Sequence, residues 1–365
     1  CSAGGHPAGV CMRGDMTGLP DLPAIGADAA WPDCDWARDK LPGSTDADTL
    51  DALVSHAFSE SSHTGMGETH AFIAIHKGRI VAERYLGGIY TAEATYPSWS
   101  MAKSITQLLT GFLAAERKVD VAAPFDAPEW REPGDPRGAI TWTHLLQMAS
   151  GLAFREDYID GEVSDVIEML FASGANDMGA FAASKPLAHK PGAFFNYASG
   201  TTNILARSLK GLVGGGEAGM KSFMAERLFG PLGIEKTIPK FDESGTFIGS
   251  SYCFMRAEDF ARIGLLALRG GNWRGEQLLP KSWIDFARTP GPAQPEDGRG
   301  YGAQWWLNMF SPGGFSMNGY EGQWVACCPH RDLILVRHGK STNGPDALRQ
   351  DAARDWLIAA MGCFR

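Results

Sequence analysis

The chain has 365 residues, of which 44% are hydrophobic and 21% charged, and a formal net charge of −9. That is the make-up of an ordinary globular protein with ample material for a core, in one large domain or two unequal ones. It excludes a phosphate-tracking basic stripe, and nucleic acid with it; no apolar run approaches the roughly 18 residues of a membrane span.

Seven cysteines lie at positions 1, 11, 34, 253, 327, 328 and 363. No CxxC pair occurs among them, which disfavours zinc and thioredoxin-like chemistry, and no metal or cofactor is expected. A start of CSAGG fits a lipid-anchored mature end at Cys1, as exported bacterial proteins carry, and equally a cloning boundary. The first implies a periplasmic chain and the second leaves the cytoplasm open. In an oxidising compartment Cys11 could bridge to Cys34, whereas adjacent Cys327 and Cys328 read as small buried residues.

Residues 1–45, rich in Gly, Pro, Asp and Ala, read as an extended arm, and 46–365 as one domain. AFIAIH, the turn KG and RIVAERY have the pattern of a β-hairpin. Ile105, Leu108, Leu109, Phe112 and Leu113 recur at helical spacing and predict a helix from Met101 to about Glu116. VDVAAPFDAPEW is a loop, and ITWTHLLQMASGL an N-capped short helix. Helical periodicity returns over 163–184 and 202–213, with the loop KPGAFFNYASG between, then over Gly219–Phe229 and Ala257–Leu268. GGG at 214–216 is a helix stop. From Gly300 the pattern turns to strands: YGAQWWLN, GQWVACC, the turn PHRD and LILVRHG. DALRQDAARDWLIAAM is a final helix. Strands from both ends of the chain would pair in one antiparallel sheet flanked by helices, with a helical lobe over roughly 115–250. The fold class expected is α/β (α+β), with a cleft where the lobes meet.

Chemistry centres on YPSWSMAKSITQLL, where Ser100 and Lys103 stand three apart in a first helical turn. A solvated helix face would explain the lysine, and so would a base for a nucleophilic serine. A serine hydroxyl needs a base within hydrogen-bond reach. Residues at i and i+3 share a helix face, and burial lowers a lysine pKa until a neutral amine can take a proton. Helix N-terminal N–H groups would add stabilisation for an oxyanion. SxxK alone is a common string; Pro97, Trp99 and Met101 flank this one with bulk that would bury the lysine. In NYASG, Tyr197 could donate its proton to a leaving group, or join the base if Lys103 lowers its pKa. A tyrosine anchoring a loop on a helix fits as well.

In order, YPSWSMAKSITQLLTGFLAAERKVDVAAP, ITWTHLLQMASGLAF, HKPGAFFNYASGTTNILARSL and GYEGQWVACCPHRDLILVR resemble the serine β-lactamase and penicillin-binding superfamily. The resemblance covers roughly residues 65–362 and points to the class C-like branch of carboxylesterases and 6-aminohexanoate-dimer hydrolases. It implies an acyl-enzyme on Ser100, with Lys103 as base and Tyr197 protonating the leaving group and later helping to activate water. Ser199 stands where many relatives have Asn, losing an amide donor. The implied oxyanion hole is the backbone N–H of Ser100 with one from an edge strand at Gly319–Gly322, Tyr320 being the candidate. Tyr158, in REDYID, resembles a pocket aromatic of the amide-cleaving members; a surface loop tyrosine fits too.

Lys-Thr-Gly, usual on that strand in β-lactamases, is replaced by Gly319-Tyr320-Glu321-Gly322-Gln323, where the hydrolase branch often shows GHGGQ. Without the lysine, the carboxylate of a penicillin loses its partner. The expected partner is a small-molecule ester, amide or lactam, with ester or amide hydrolysis favoured. A peptidase of D-Ala cell-wall peptides and a non-catalytic binding protein on the same fold are the rivals; oligomeric state stays open.

Other strings fail on context. LILVRHGKS matches the opening of histidine phosphatases, with Arg337 and His338 in the phosphate-binding and phosphorylated positions, yet only 365 − 338 = 27 residues follow His338. HRDL at 330–333 resembles a kinase catalytic loop but has Arg337 where Asn is required. GKS at 339–341 lacks the glycine that precedes it in a phosphate loop.

Overall fold

The computed structural model describes residues 18–26, 29–33, 35–157, 164–341 and 348–365. Cys1, Cys11, Cys34 and Tyr158 lie outside the described residues, and with them the lipid anchor, the Cys11 to Cys34 bridge and the pocket aromatic expected from sequence.

Seven strands form one sheet: β1 (Glu68–His76), β2 (Arg79–Tyr85), β3 (Gly300–Tyr301), β4 (Trp306–Leu307), β5 (Phe315–Gly319), β6 (Gln323–Cys328) and β7 (Leu333–Lys340), in the order β2-β1-β7-β6-β5-β4-β3. Every neighbouring pair runs antiparallel. The hairpin β1–β2 turns on Lys77 and Gly78, both at positive φ (51° and 78°), as a two-residue turn that follows strand twist requires. A Cβ at Gly78 would lie 2.1 Å from the Ala30 carbonyl oxygen, so the chain before the domain crosses directly over this turn. Ile80 exchanges hydrogen bonds with Ala37 and Asp39 at 2.9 Å each, which covers part of the outer edge of β2.

Side chains that alternate along the central strands feed two cores. Phe72, Ala74, Trp324, Ala326, Cys328, Leu333 and Leu335 face the helices Ala47–Ala57 and Leu348–Gly362. Ala71, Ile73, Ile75, Val325, Cys327, Ile334 and Val336 face the helix Ala257–Leu268 and the larger core. Strands covered on both faces read as near-continuous apolar runs, as AFIAIH, WVACC and LILV do. The first and last strands of the chain, β1 and β7, lie side by side in register from Glu68–Lys340 to His76–Leu333. The antiparallel sheet flanked by helices is thus the architecture expected from sequence.

Several elements differ from the sequence expectation. A single helix over 163–184 is two, Asp165–Phe171 and Met178–Ala183, broken near Gly174, where a Cβ would meet Phe181 and Met169 below 3 Å. The segment expected from Gly219 starts at Gly216 and ends in a π-turn, Ala225–Phe229. YGAQWWLN is not one strand but the short pair β3 and β4. The helix Ala102–Ala115 is buried along nearly its whole length, against Trp283 among others. Cys253, Cys327, Cys328 and Cys363 are free and buried thiols.

Gly111, in that helix, would place a Cβ 2.3 Å from Trp283 Nε1, whose N–H donates to the Gln107 carbonyl at 3.2 Å. Gly→Ala in an open helix stabilises by about 1 kcal/mol. Here the sign should reverse: Gly111→Ala should lose about 1–3 kcal/mol in urea unfolding, because the indole has nowhere to move.

Candidate active site

Ser100 lies in a 3-10 turn, Trp99–Met101, that runs directly into the helix Ala102–Ala115. Trp99 carries φ 42°, a strained value for a bulky residue, and so turns the chain sharply just before Ser100. Ser98 holds that entry: its Oγ donates to the Ser251 carbonyl at 3.1 Å and accepts from Cys253 N–H at 2.9 Å.

Lys103 follows one turn later and is 1% exposed. Its Nζ lies 2.9 Å from Ser100 Oγ, 2.9 Å from Ser199 Oγ and 3.0 Å from the Ser250 carbonyl oxygen. Desolvation lowers its pKa to about 8, opposed only by the charge of Glu156. A fraction of the amine is therefore neutral at physiological pH. The solvated-face alternative is excluded.

Tyr197 enters from the loop before the helix Ser199–Val213. Asn196 pins that loop by donating to the Phe154 carbonyl at 2.9 Å, while its backbone N–H donates to Met148 O at 2.8 Å. Lys103 Nζ sits 4.8 Å from the centre of the Tyr197 ring, and Ser100 and the Trp306 indole stand beside the phenol. Its pKa is raised, first by desolvation and then by Glu156, so the phenol keeps its proton at neutral pH. The option that Lys103 lowers this pKa to make a phenolate base is not met.

Ser199, two places on and the first residue of the helix Ser199–Val213, is buried and bridges Lys103 and Glu156. It accepts from Lys103 and donates to Glu156 Oε1 at 2.9 Å, and its backbone N–H donates to Glu156 Oε2. Glu156 carries no local signal in sequence: it stands in REDYID two places before Tyr158, 43 residues from its partner. Ser250 was likewise invisible, since it acts through a carbonyl. Its own N–H donates to Asn203 Oδ1 at 3.2 Å, and Thr106 donates to the neighbouring Gly249 carbonyl at 3.0 Å, so that acceptor is fixed from two helices.

Gly319 ends β5, and Tyr320–Gly322 is a 3-10 turn leading into β6. This is a correction to the edge-strand expectation: β5 is interior to the sheet order, although only its Phe315 and Ser316 pair with β4. A Cβ on Gly319 would lie 2.4 Å from the Ser98 carbonyl oxygen, so only glycine lets the turn come this close to the Ser100 segment. Gly322, at φ 81°, would clash with Arg337 Nη1 at 2.3 Å. The arginine donates to the Gly322 carbonyl at 2.9 Å, and Gln323 donates to the carbonyls of Tyr320 (3.3 Å) and Gly339 (2.5 Å). His338 and Arg337, the residues of the phosphatase-like string, are fully buried in β7 behind this turn.

Aromatic rings stand on both sides of the pair. Trp99 contacts Tyr252 and Tyr320 with ring centres 5.6 and 5.8 Å apart, and Tyr197 contacts Trp306 and Tyr301 at 5.3 and 5.9 Å. Arg299 stacks on Trp306 at 4.8 Å while paired with Asp297 at 2.7 Å. Among the described residues no group of His, Cys, Asp and Glu is placed to hold a metal ion, and no helix is long and apolar enough to cross a membrane.

A buried lysine touching a serine at i−3 and a serine two places after a tyrosine is the arrangement that the sequence resemblance implies. The family model described as Beta-lactamase matches residues 52–360. The chain belongs to the β-lactamase family. Membership makes it an enzyme of the serine hydrolase type. A 6-aminohexanoate-dimer hydrolase from Paenarthrobacter ureafaciens is 21% identical over 318 residues, 79% of this chain and 76% of that protein. Among solved structures, a Bacillus anthracis protein described provisionally as a 6-aminohexanoate-dimer hydrolase superposes with a TM-score of 0.70 at 22% identity, covering 92% of this chain and 91% of its own. A family VIII carboxylesterase gives 0.62 at 14% identity, covering 89% and 99%.

Within this β-lactamase-family fold, the Gly319 contact is a sharp local test. Gly319→Val should leave the far-ultraviolet spectrum near wild type while hydrolytic turnover falls by about 100-fold, the effect of a shift near 1 Å at reacting groups. A variant with unchanged turnover would show that the turn does not serve Ser100.

Proposed function

We propose that this β-lactamase-family hydrolase cleaves an ester or amide bond through an acyl-enzyme on Ser100. The observation that carries the proposal is the buried amine of Lys103 2.9 Å from the hydroxyl of Ser100, a residue that is itself partly exposed.

In the proposed cycle neutral Lys103 takes the Ser100 proton as Oγ attacks the carbonyl carbon. The backbone N–H groups of Ser100 and Tyr320 are the candidates to receive the oxyanion. Tyr197, still protonated, gives its proton to the leaving oxygen or nitrogen and is refilled from the Lys103 ammonium. Water then attacks the acyl carbon, the Ser100 ester bond breaks, and the serine regains a proton. Ser199 supports this scheme as a hydroxyl that orders the lysine rather than as an amide aimed at substrate.

Ester or amide cleavage is favoured over lactam cleavage by charge. The turn that carries lysine in β-lactamases carries Glu321 here, half-buried with its pKa raised by desolvation against the charge of Lys340, and Glu156 sets a carboxyl near the amine. Arg299, the cation acting on Tyr197, is already paired with Asp297. An anionic antibiotic therefore finds no lysine in this turn, whereas neutral substrates with flat or apolar groups meet the half-buried rings of Trp99, Tyr252, Tyr320 and Trp306. The similarity to 6-aminohexanoate-dimer hydrolases and to a carboxylesterase supports the same side.

Mass spectrometry after a fluorophosphonate should find the adduct on Ser100, and Ser100→Ala should lower p-nitrophenyl ester turnover by about 10⁴-fold or more. Full ester hydrolysis by Ser100→Ala would end the proposal, and a wild-type chain that takes no adduct would favour a binding protein. In a panel of p-nitrophenyl ester, 6-aminohexanoate dimer, nitrocefin and a D-Ala-D-Ala peptide, one of the first two should be turned over fastest.

The base must be neutral to act, and its pKa lies near 8. Below that value Lys103 holds its proton and the rate is low. The kcat/KM for a neutral ester should accordingly rise with pH through about 8. A profile already flat from pH 6 would assign the base elsewhere.

A further inference from the structure

Donor and acceptor counting around Lys103 leads to a residue that the scheme above does not use. A neutral amine has two N–H bonds and one lone pair. The Ser250 carbonyl can only accept, so one N–H points there at 3.0 Å. Ser199 has a single hydroxyl proton, and Glu156 Oε1, an oxygen that only accepts when ionised, lies 2.9 Å away. That proton goes to the carboxylate, which leaves Ser199 Oγ as an acceptor for the second N–H at 2.9 Å. The lone pair is then left for Ser100, the third neighbour, at 2.9 Å.

We propose that Glu156 is a positioning residue: by holding the Ser199 hydroxyl proton, it aims the lone pair of Lys103 at Ser100. The inference rests on the Ser100 and Lys103 roles proposed above. With the carboxylate gone, the Ser199 hydroxyl is free to turn and donate to the same lone pair, competing with the nucleophile for its own base.

Glu156→Gln makes this reversal specific. Both carboxylate oxygens accept from Ser199, one from the backbone N–H and one from the hydroxyl. A glutamine has one acceptor oxygen; placed on the backbone N–H, it turns its NH2 toward Ser199 Oγ and forces the hydroxyl proton toward Lys103. The oxygen still caps the first N–H of the helix Ser199–Val213, so the fold is retained.

A second signature is the pH profile. Glu156 is the charge that raises the lysine pKa against desolvation, and its neutralisation lets that pKa fall further. The other groups around this cluster are the phenol of Tyr197, with Tyr301 and the Arg299–Asp297 pair behind it, and the paired Arg155 and Asp157 on either side of Glu156 in its own segment. All of them stay in place in the variant.

The experiment follows fluorophosphonate labelling of Ser100 and ester turnover across pH in wild type, Glu156→Gln, Ser199→Ala and the double variant. Glu156→Gln should lower kcat/KM by about 100-fold, with its acidic limb at lower pH than wild type. In the Ser199→Ala background there is no hydroxyl to turn, so the same change should have much less effect on rate. Equal losses in both backgrounds, or an unmoved limb with wild-type rate, would overturn the positioning role while Ser100 labelling upholds the serine hydrolase reading. Absence of label on wild-type Ser100 would overturn both.

Discussion

An amine kept from water organises the middle of this molecule. Lys103 sits inside a helix buried on nearly every face, where an ammonium ion loses its hydration. Two neutral acceptors and one hydroxyl cannot replace that hydration, so the proton becomes easy to lose. The acceptors come from distant segments, 96 and 147 residues along the chain. Each is itself fixed: Ser199 by Glu156, and Ser250 through Asn203 with Gly249 held by Thr106. A looser frame would admit water or let Lys103 swing, and either would return it to an ordinary charged lysine.

A second buried cation supports the other side of the site. Arg337 is fully buried in β7, and burial pushes its pKa down to about 9, so it remains charged at neutral pH. Its hydrogen bonds go to Thr69 Oγ1, Ser341 Oγ and the carbonyls of Gly322 and Glu68, with no carboxylate among them. A buried charge so arranged is worth little as net stability, because its desolvation offsets much of what the hydrogen bonds return. Its effect is geometric. One planar group ties the start of β1, the end of β7 and the turn after β5, and that turn carries Tyr320 to the Ser100 segment. The string that looks like a phosphatase signature is therefore a clamp whose histidine and arginine never reach solvent.

Period and punctuation made much of this legible. The β1–β2 hairpin, the helix at Ala257–Leu268 and the β6–β7 pair are long apolar patterns bounded by turn residues, and they lie where the sequence places them. The strand β5 was not legible: GGFSMNG has two glycines in front and too few apolar residues to show alternation. The helix Ala47–Ala57 was missed at the foot of a Gly- and Pro-rich arm. In the site, Ser100, Lys103 and Tyr197 share sequence motifs and come together, whereas Glu156 and Ser250 act through contacts formed only when distant loops meet. Residue type says nothing about a carbonyl that happens to point at an amine.

The substitution of serine for asparagine at position 199 gains a physical reading from that contact. An asparagine there would offer both a donor and an acceptor, and its amide would be available to a substrate carbonyl. A serine has one proton, and Glu156 takes it. On the proposed scheme the serine therefore makes an internal contact where an asparagine would offer one to substrate, and a carboxylate orders the base through a hydroxyl. That exchange, on the same scheme, also places the negative charge of Glu156 near the base. A substrate bearing a carboxylate would then meet the charge of Glu156, while a neutral ester or amide would meet the half-buried rings of Trp99, Tyr252, Tyr320 and Trp306. On the proposed scheme, the same carboxylate that aims the lysine also helps to choose what the serine attacks.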